Sequence, residues 1–135
     1  MANAIYPEFA ERLLNGEFDL TSSPVVRAYL VDTNDYTYSA AHDAATDLTS
    51  GSGDVAVVTL GTITTSNGTL DAADATFTSV TGDECEAVII TVEDTGATER
   101  LCAYYDTGVT GLPVTPNGGD INLTINASGL FTIGV

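Results

Sequence analysis

The sequence predicts an all-β protein: an antiparallel β-sandwich or jelly-roll-like barrel of about seven or eight strands with one short N-terminal amphipathic helix. Two observations predict this fold class. Short apolar runs rich in β-branched residues recur along the chain, and turn-forming residues separate them. No helical segments alternate with these runs, as they would in an α/β protein.

The 135 residues correspond to a single β domain, 1–135, because neither a linker nor an internal repeat divides the chain. Within this domain we expect a helix or arm over residues 1–16 and a β-sandwich body over residues 24–135. Apolar residues make up 44% of the chain, which is enough for one core. No apolar run approaches the length of a membrane helix.

The N-terminal segment carries one apolar stripe. Ile5, Phe9 and Leu13 recur at positions i, i+4 and i+8, which is the spacing of one helix face. Pro7 suits a first helical turn, and Asn15-Gly16 is a stop signal. The stripe must be buried, either against the protein's own sheet or against a neighbouring subunit.

The pattern then changes to that of strands. Val25–Val31 is apolar and β-branched, which predicts a largely buried strand. A polar turn with two tyrosines follows it over Asp32–Tyr38. Ser39–Leu48 is a candidate for a second short helix with Ser39 as its cap, although its alanines give it little to bury.

The next strands lie around an Asn-Gly turn. Val55–Leu60 begins a strand region that continues to Ser66, and Ala75–Val80 is a further strand. Between them Asn67-Gly68 predicts a type I′ hairpin, since both residues tolerate a positive φ.

A second hairpin determines what the two cysteines can do. Glu86–Val92 and Arg100–Tyr105 flank a turn, so folding them together places Cys102 roughly opposite Ile89. Cys85 then lies on the order of 13 Å further along, too far for a disulfide. We therefore expect two reduced thiols that act as small core residues.

A long loop precedes the last two strands. Gly108–Gly119 contains two prolines, which stiffen it, and the apolar residues Leu112 and Val114. Such a loop either carries contacts to a partner or folds over one end of its own barrel. Ile121–Asn126 and Leu130–Ile133 are the final predicted strands.

Charge excludes several classes of function. Nineteen acidic residues face three arginines and no lysine, which gives a formal net charge of −16. A surface of this kind repels phosphate backbones and anionic lipids. We therefore expect neither nucleic-acid nor membrane binding, and an acidic surface that favours solubility and that would face away from a nucleic acid.

The residues for common catalytic sites are missing. There is no lysine, His42 is the single histidine, and no Gly-x-Ser-x-Gly motif occurs. Both cysteines lie in apolar strand contexts, where thiols are usually inert. We expect no enzymatic activity and no cofactor.

Carboxylates leave two alternatives open. Asp83, Glu84 and Glu86 form the densest acidic group, which would suit a hydrolase but is more typical of a solvated strand entrance. Asp32–Asp35 and Asp71–Asp74 have side chains suited to calcium, yet such residues are also common turn formers. We predict no metal site.

Four segments resemble a known family. Met1–Tyr6, Ala28–His42, Phe77–Asp83 and Asp106–Asp120 resemble the small virion proteins encoded beside the major capsid gene in tailed bacteriophages, the head decoration or cement proteins. The two cysteines and the C-terminal residues 129–135 depart from that pattern. The resemblance covers most of the chain and contains no catalytic motif.

The resemblance implies a structural role. The chain would be made in the host cytoplasm and would decorate the outer surface of the assembled capsid, with the major capsid protein and copies of itself, as a trimer or a dimer, as its partners. The expected contact residues come from the helix stripe and the long loop: Ile5, Phe9, Leu13, Leu112, Pro113, Val114 and Pro116.

Two other functions remain as alternatives. A receptor- or carbohydrate-binding virion module of the tail or fibre would use exposed tyrosines as stacking faces, and the candidates are Tyr36, Tyr38, Tyr104 and Tyr105. These tyrosines would otherwise pack in the core. A small acidic hydrolase is the third alternative.

Overall fold

The structure, a computed structural model, describes residues 3–132. In chain order its elements are β1 (Ala4–Ile5), α1 (Pro7–Leu14), β2 (Val26–Val31), α2 (Thr46–Thr49), β3 (Asp54–Thr59), β4 (Thr64–Ser66), β5 (Thr69–Asp71), β6 (Ala75–Phe77), β7 (Ala87–Glu93), β8 (Glu99–Tyr105), β9 (Ile121–Leu123) and β10 (Phe131–Thr132). The predicted all-β class is confirmed, although the strands do not close into a barrel. Residues 1 and 2 of the predicted arm, and Ile133 of the last predicted strand, lie outside the described residues.

The largest sheet has five antiparallel strands in the order β1-β8-β7-β2-β3. Its central strand β7 is buried from Ala87 to Val92, which explains why this segment is a continuous apolar run and not an alternating one. Tyr29 of β2 and Tyr104 of β8 are both register partners of Ile89. These three side chains therefore share one face of the sheet.

The remaining strands form two smaller sheets, of which the β6-β9 pair lies against the opposite face. They have the strand orders β10-β5-β4 and β6-β9. Leu30 and Val88, which are register partners, line a small cavity together with Phe77, Ile121 and Leu123 of the β6-β9 pair. The main core therefore lies between the five-stranded sheet and the β6-β9 pair.

The hairpin predicted at Asn-Gly is present. Strands β4 and β5 pair with Ser66 opposite Thr69. Between them Asn67 and Gly68 have φ values of 51° and 78°. Positive φ at both central positions is what a type I′ turn requires.

The N-terminal arm belongs to the edge of the main sheet. Ile5 lies in β1 opposite Ala103 and not in the helix, which begins at Pro7. Phe9 is fully buried, with its ring centroid 4.9 Å from that of Phe18 and 6.2 Å from that of Phe131. The stripe therefore packs on its own domain.

The predicted second helix is wrong over most of its length. Only Thr46–Thr49 is helical. The preceding residues form turns, in which Asp47 Oδ2 accepts hydrogen bonds from the backbone N–H groups of Asp43 and Ala44. Ala44 also forms an isolated bridge with Arg100 of β8. Short polar side chains that bond to nearby backbone groups compete with helix formation.

The second hairpin forms as predicted, but its register differs. Ile89 lies opposite Tyr104, and the pairing shifts between Ile90 and Thr91. Cys102 has no partner in this register because the irregularity adds one residue to β8. The predicted pairing of Cys102 with Ile89 is therefore wrong, whereas both cysteines are free and buried, as predicted.

Substitutions on α1 test the inward packing of the stripe. Phe9→Ala should lower the free energy of unfolding by about 3–5 kcal/mol, because it empties a fully buried aromatic site. Leu14→Ala is the matched control: Leu14 is 86% exposed, so its loss should change stability by less than about 0.5 kcal/mol. Urea denaturation measures both, and equal values would show that α1 is not docked.

Candidate functional site

Two of the three arginines meet at one carboxylate. Arg12 binds Asp43 in a bidentate manner, through Nε at 2.9 Å and Nη2 at 2.8 Å, and reaches Glu17 at 2.7 Å. Arg100 donates to the same Asp43 at 2.7 Å and to Asp94 at 2.9 Å. Hydrogen bonds to Asp43 and Glu17 raise the pKa of the Arg12 guanidinium above its usual range.

The third arginine is paired as well. Arg27 lies 2.9 Å from Glu93 and 3.4 Å from Glu99. Because the sequence contains no lysine, every lysine or arginine side chain of this protein is neutralised by its own carboxylates. Any attraction that the charge of this surface exerts is therefore an attraction for cations.

Acidic residues converge beside the start of β7. Oxygen atoms of Asp32, Asp35 and Asp83 lie within 4.8 Å of one another. Asp32 follows β2 and is 4% exposed, and its Oδ1 accepts a hydrogen bond from the backbone of Asn34 at 2.8 Å. We call these three residues, together with the neighbouring Glu84, the acidic corner.

The chemistry of the acidic corner suits a hard cation. Carboxylate oxygens are the ligands that calcium prefers, so Asp32, Asp35 and Asp83 are the residues that could hold one. The sequence indicates the Asp32–Asp35 turn as a possible calcium site, whereas it places Asp83 in a separate acidic group with Glu84 and Glu86. Their proximity results from the β2–β7 pairing, which places the residue after one strand beside those before the other.

The predicted contact loop lies against the acidic corner. Val114 and Cys85 exchange two backbone hydrogen bonds, of 2.8 and 3.0 Å, and Thr115 Oγ1 donates to Glu84 at 3.2 Å. Leu112 and Val114 pack partly against the core, Pro113 is exposed, and Pro116 is half-buried. Leu112 and Pro113 are joined by a cis peptide bond.

The structure does not bring the two predicted contact sets together. The loop is tied to Cys85, before the start of β7, whereas Glu17, after α1, accepts a hydrogen bond from Thr95 beyond the end of β7. Within the helix stripe Ile5 and Leu13 are half-buried and Phe9 is fully buried. Phe9 therefore has no exposed surface with which to contact a partner, contrary to its prediction as a contact residue.

Tyrosine rings form a cluster on the face of the sheet that carries Ile89. The Tyr38 ring lies with its centroid 5.0 Å from that of Tyr6 and 5.4 Å from that of Tyr104. The hydroxyl groups of Tyr6 and Tyr36 are 2.7 Å apart, and Tyr36 is also hydrogen-bonded to Nδ1 of His42 at 2.8 Å. Tyr6, Tyr36 and Tyr104 are at most 3% exposed, which agrees with core packing.

A depression of about 390 Å³ opens beside this cluster. We call it the tyrosine pocket, and its lining includes Thr33, Tyr36, Tyr38, Glu86, Tyr104 and Asp106. Burial, followed by the effect of Asp106, raises the pKa of Tyr104 to about 12. The hydroxyl of Tyr104 is therefore neutral at physiological pH, and the formal charges of the pocket are those of Glu86 and Asp106.

Tyr105, the last of the four tyrosines predicted as stacking faces, lies elsewhere. Its hydroxyl donates to the carbonyl oxygen of Leu130 at 2.6 Å. It lines a second depression, also of about 390 Å³, with Val88, Ile90 and Ile125. That lining contains no carboxylate, histidine or cysteine, and its side-chain hydroxyl groups are those of Tyr105 and three threonines.

The thiols and the histidine are also separate. Burial raises the pKa of Cys85 to about 11 and that of Cys102 well above its usual value. Within residues 3–132, no thiol and no serine hydroxyl is hydrogen-bonded to the His42 ring. This is not the arrangement of an activated nucleophile, which needs a neighbouring base or a lowered pKa.

No model of a known protein family matches the chain, and no curated protein is significantly similar to it. Across the part of the chain that the structure describes, the helices are too short to cross a membrane.

Thiol chemistry tests the burial of the cysteines. At pH 8 the native protein should react with a disulfide reagent at least about a hundredfold more slowly than the unfolded protein, because little thiolate is present. The reactivity of Cys85 should rise as the pH approaches 11, since the thiolate is the reactive form. Absorbance of the released thiol measures this, and two rapidly reacting native thiols would contradict it.

Charge repulsion in the acidic corner is tested by removing one carboxylate. In a chelating buffer, Asp83→Asn should raise the free energy of unfolding by about 0.3 kcal/mol, because it relieves a like-charge contact. Glu11→Gln, on an exposed position of α1, is the control and should have no such effect. If calcium raised the free energy of unfolding of the natural protein but not of Asp83→Asn, the acidic corner would be a cation-binding site. That result would contradict the interpretation that these carboxylates only repel one another.

Proposed function

We propose that the chain is a non-catalytic structural protein that binds the outer surface of an assembled tailed-bacteriophage capsid and stabilises it. The observation that carries this proposal is the pairing of all three arginines inside the molecule. The protein has a formal charge of −16, and its surface therefore carries no unpaired lysine or arginine side chain to offset the exposed carboxylates. Such a surface attracts basic protein surfaces and repels nucleic acid.

An outer position on the shell agrees with that charge. Packaged DNA lies inside a phage head, and a strongly acidic protein is repelled from it but not from the outside of the protein lattice. The four segments that resemble head decoration proteins support the same location. In this proposal the major capsid protein is the main partner, and the chain assembles as a trimer or a dimer on a local symmetry axis.

The packing of the chain suits a protein that binds as a rigid body. Within residues 3–132, every buried side-chain nitrogen or oxygen has a hydrogen-bond partner. The pairs of Arg12 and Arg100 with Asp43 connect α1, the turn before α2, and β8. A preorganised surface loses less conformational entropy on binding than a mobile one does.

Stabilisation of the shell follows from mass action. A protein that binds the assembled lattice but not free capsid subunits favours the assembled state. Repeated weak contacts are sufficient when an oligomer binds several equivalent sites at once. No catalytic step and no cofactor is required.

The long loop and the acidic corner form the contact surface that we favour. The loop is hydrogen-bonded to Glu84 of the acidic corner and to the adjacent Cys85, and Pro113 and Asp83 are exposed there. An apolar loop beside several carboxylates matches a partner surface that is apolar with a basic rim. Of the helix stripe, only the half-buried Ile5 and Leu13 retain some accessible surface.

The carbohydrate-binding alternative has less support. Stacking on a sugar needs an accessible ring face, whereas Tyr36 and Tyr104 are each 3% exposed. Tyr105 is separated from them and is fixed to Leu130. Tyr38, at intermediate exposure, is the ring with the most accessible surface in the tyrosine pocket.

Copy number tests the proposal directly. Quantitative mass spectrometry of virions of the phage that encodes this chain should find on the order of hundreds of copies per particle, as lattice symmetry requires. A handful of copies would indicate a tail or fibre component. Absence from the particles would overturn the proposal.

A charge reversal tests the contact surface. Glu84→Lys should reduce the occupancy of particles stripped of this protein and refilled with the variant by about tenfold, because it places a cation in the acidic corner. Glu11→Lys makes the same change in net charge on α1 and should bind normally. Equal loss for both variants would show that net charge, and not the corner, determines binding.

A further inference from the structure

The segment between β2 and α2 crosses one face of the main sheet, and both of its ends are fixed. Thr33 donates to Glu86 through its N–H at 2.9 Å and through its Oγ1 at 3.1 Å. At the other end, the carbonyl oxygen of Asp43 accepts a hydrogen bond from a backbone N–H of β8 at 2.8 Å. We call residues 34–42, which lie between these two ends, the covering segment.

A chain of two hydrogen bonds joins the covering segment to the residue before α1. The hydroxyl groups of Tyr6 and Tyr36 are 2.7 Å apart, and that of Tyr36 is 2.8 Å from Nδ1 of His42. Tyr6 is fully buried, and within residues 3–132 its hydroxyl is hydrogen-bonded to Tyr36 alone. Burial raises the pKa of both hydroxyl groups, so both carry their proton at neutral pH.

The two contacts of this chain hold two protons. Each hydrogen bond uses one proton of its donor, so the two O–H groups satisfy both contacts when Nδ1 offers a lone pair. In that arrangement Tyr6 donates to Tyr36, and Tyr36 donates to His42. The proton of the neutral imidazole therefore lies on Nε2.

Protonation of the imidazole adds a third proton to the same two contacts. Nδ1–H is then a donor, so the hydroxyl of Tyr36 has to accept from it. Either Tyr6 or Tyr36 is left with an O–H group that has no acceptor, although both side chains are buried. An unsatisfied buried donor destabilises the closed arrangement, whereas water would accept that proton if the covering segment moved away from the sheet.

The carboxylates of the turn that carries His42 favour the protonated ring, but they are bound to other groups. Asp43 accepts hydrogen bonds from Arg12 and Arg100. Asp47, in α2, accepts hydrogen bonds from two backbone N–H groups. The two arginines lie on α1 and β8, and their charge opposes the protonation of a neighbouring imidazole.

The remaining carboxylates of this region belong to the tyrosine pocket. Glu86 and Asp106 line that depression together with Tyr36, but His42 is not part of its lining. Within residues 3–132 the ring of His42 is hydrogen-bonded to Tyr36 alone. The surplus proton thus acts through direct contacts, whereas the carboxylates act without one.

We propose that this chain of hydrogen bonds is a pH-sensitive contact, and that protonation of His42 releases the covering segment from the main sheet. The closed arrangement disfavours the protonated imidazole, so the open state binds more protons and the contact loses stability as the pH falls. Imidazole groups gain their charge between about pH 8 and about pH 5. The inference goes beyond the proposed function and does not depend on it, because all the contacts lie within one chain.

The tautomer of His42 is the first test. Because the chain contains a single histidine, the imidazole nitrogen spectrum of the full-length protein has one assignment. At about pH 7.5, where the ring is mainly neutral, the spectrum should show a proton on Nε2 and a lone pair on Nδ1. A proton on Nδ1 would overturn the inference.

Amide hydrogen exchange measures the release. The N–H of Tyr36 donates to Asp32 at 3.0 Å and that of His42 to Ser39 at 3.1 Å, so both amides are protected in the closed arrangement. Their protection factors, which are corrected for the intrinsic pH dependence of exchange, should fall at least about fivefold between about pH 7.5 and about pH 5.5. Protection that stays constant or rises on acidification would contradict the proposal.

Three variants separate the proton from the packing. His42→Asn keeps an oxygen that can accept from Tyr36 but gains no proton, so its protection factors should change by less than about twofold over this pH range. Tyr36→Phe leaves the hydroxyl of Tyr6 without a partner, so it should lower protection at both pH values and remove the pH-dependent loss. Glu11→Gln, on the exposed side of α1, should retain that loss in full. A loss in His42→Asn equal to that of the natural chain would assign the pH dependence to carboxylates and overturn the inference.

Discussion

A strand buried on both faces needs a cover on each side, and β7 is that strand in this protein. The β6-β9 pair covers the face that carries Val88. The segment after β2 covers the other face, because Tyr38 stacks on Tyr104, which shares that face with Ile89. The core, the tyrosine pocket and the acidic corner each contain residues from other parts of the chain that pack around β7. All three therefore depend on the burial of β7 on both faces.

Charge determines the surface as strongly as burial determines the core. With only three cations, the chain uses all of them to connect its own elements: Arg12 and Arg100 share Asp43, and Arg27 bridges two glutamates of the β7–β8 hairpin. Partly buried pairs of this kind are costly to break on one side only. The surface therefore has no unpaired lysine or arginine side chain.

The apolar periodicity of α1 predicts that one face is buried, but it does not identify what covers that face. The spacing of Phe9 and Leu13 shows that one helix face is buried, but a partner subunit and the chain's own core would produce the same spacing. The ring contacts of Phe9 with Phe18 and Phe131 decide for the core. Leu14, just beside the stripe, is the large apolar residue that remains exposed on this helix.

The sequence by itself determined the all-β class, the helix near residue 9, the Asn67-Gly68 hairpin and the acidity, because each follows from local pattern or composition. Only the tertiary structure decided where Cys102 lies in its hairpin, since one added residue shifts the register without changing the apolar pattern. It also decided that Asp83 meets Asp32, and that Tyr38 meets Tyr104 beside Glu86. These contacts join residues that are distant in sequence, and the pairing and packing of strands, which no local window of residues specifies, bring them together.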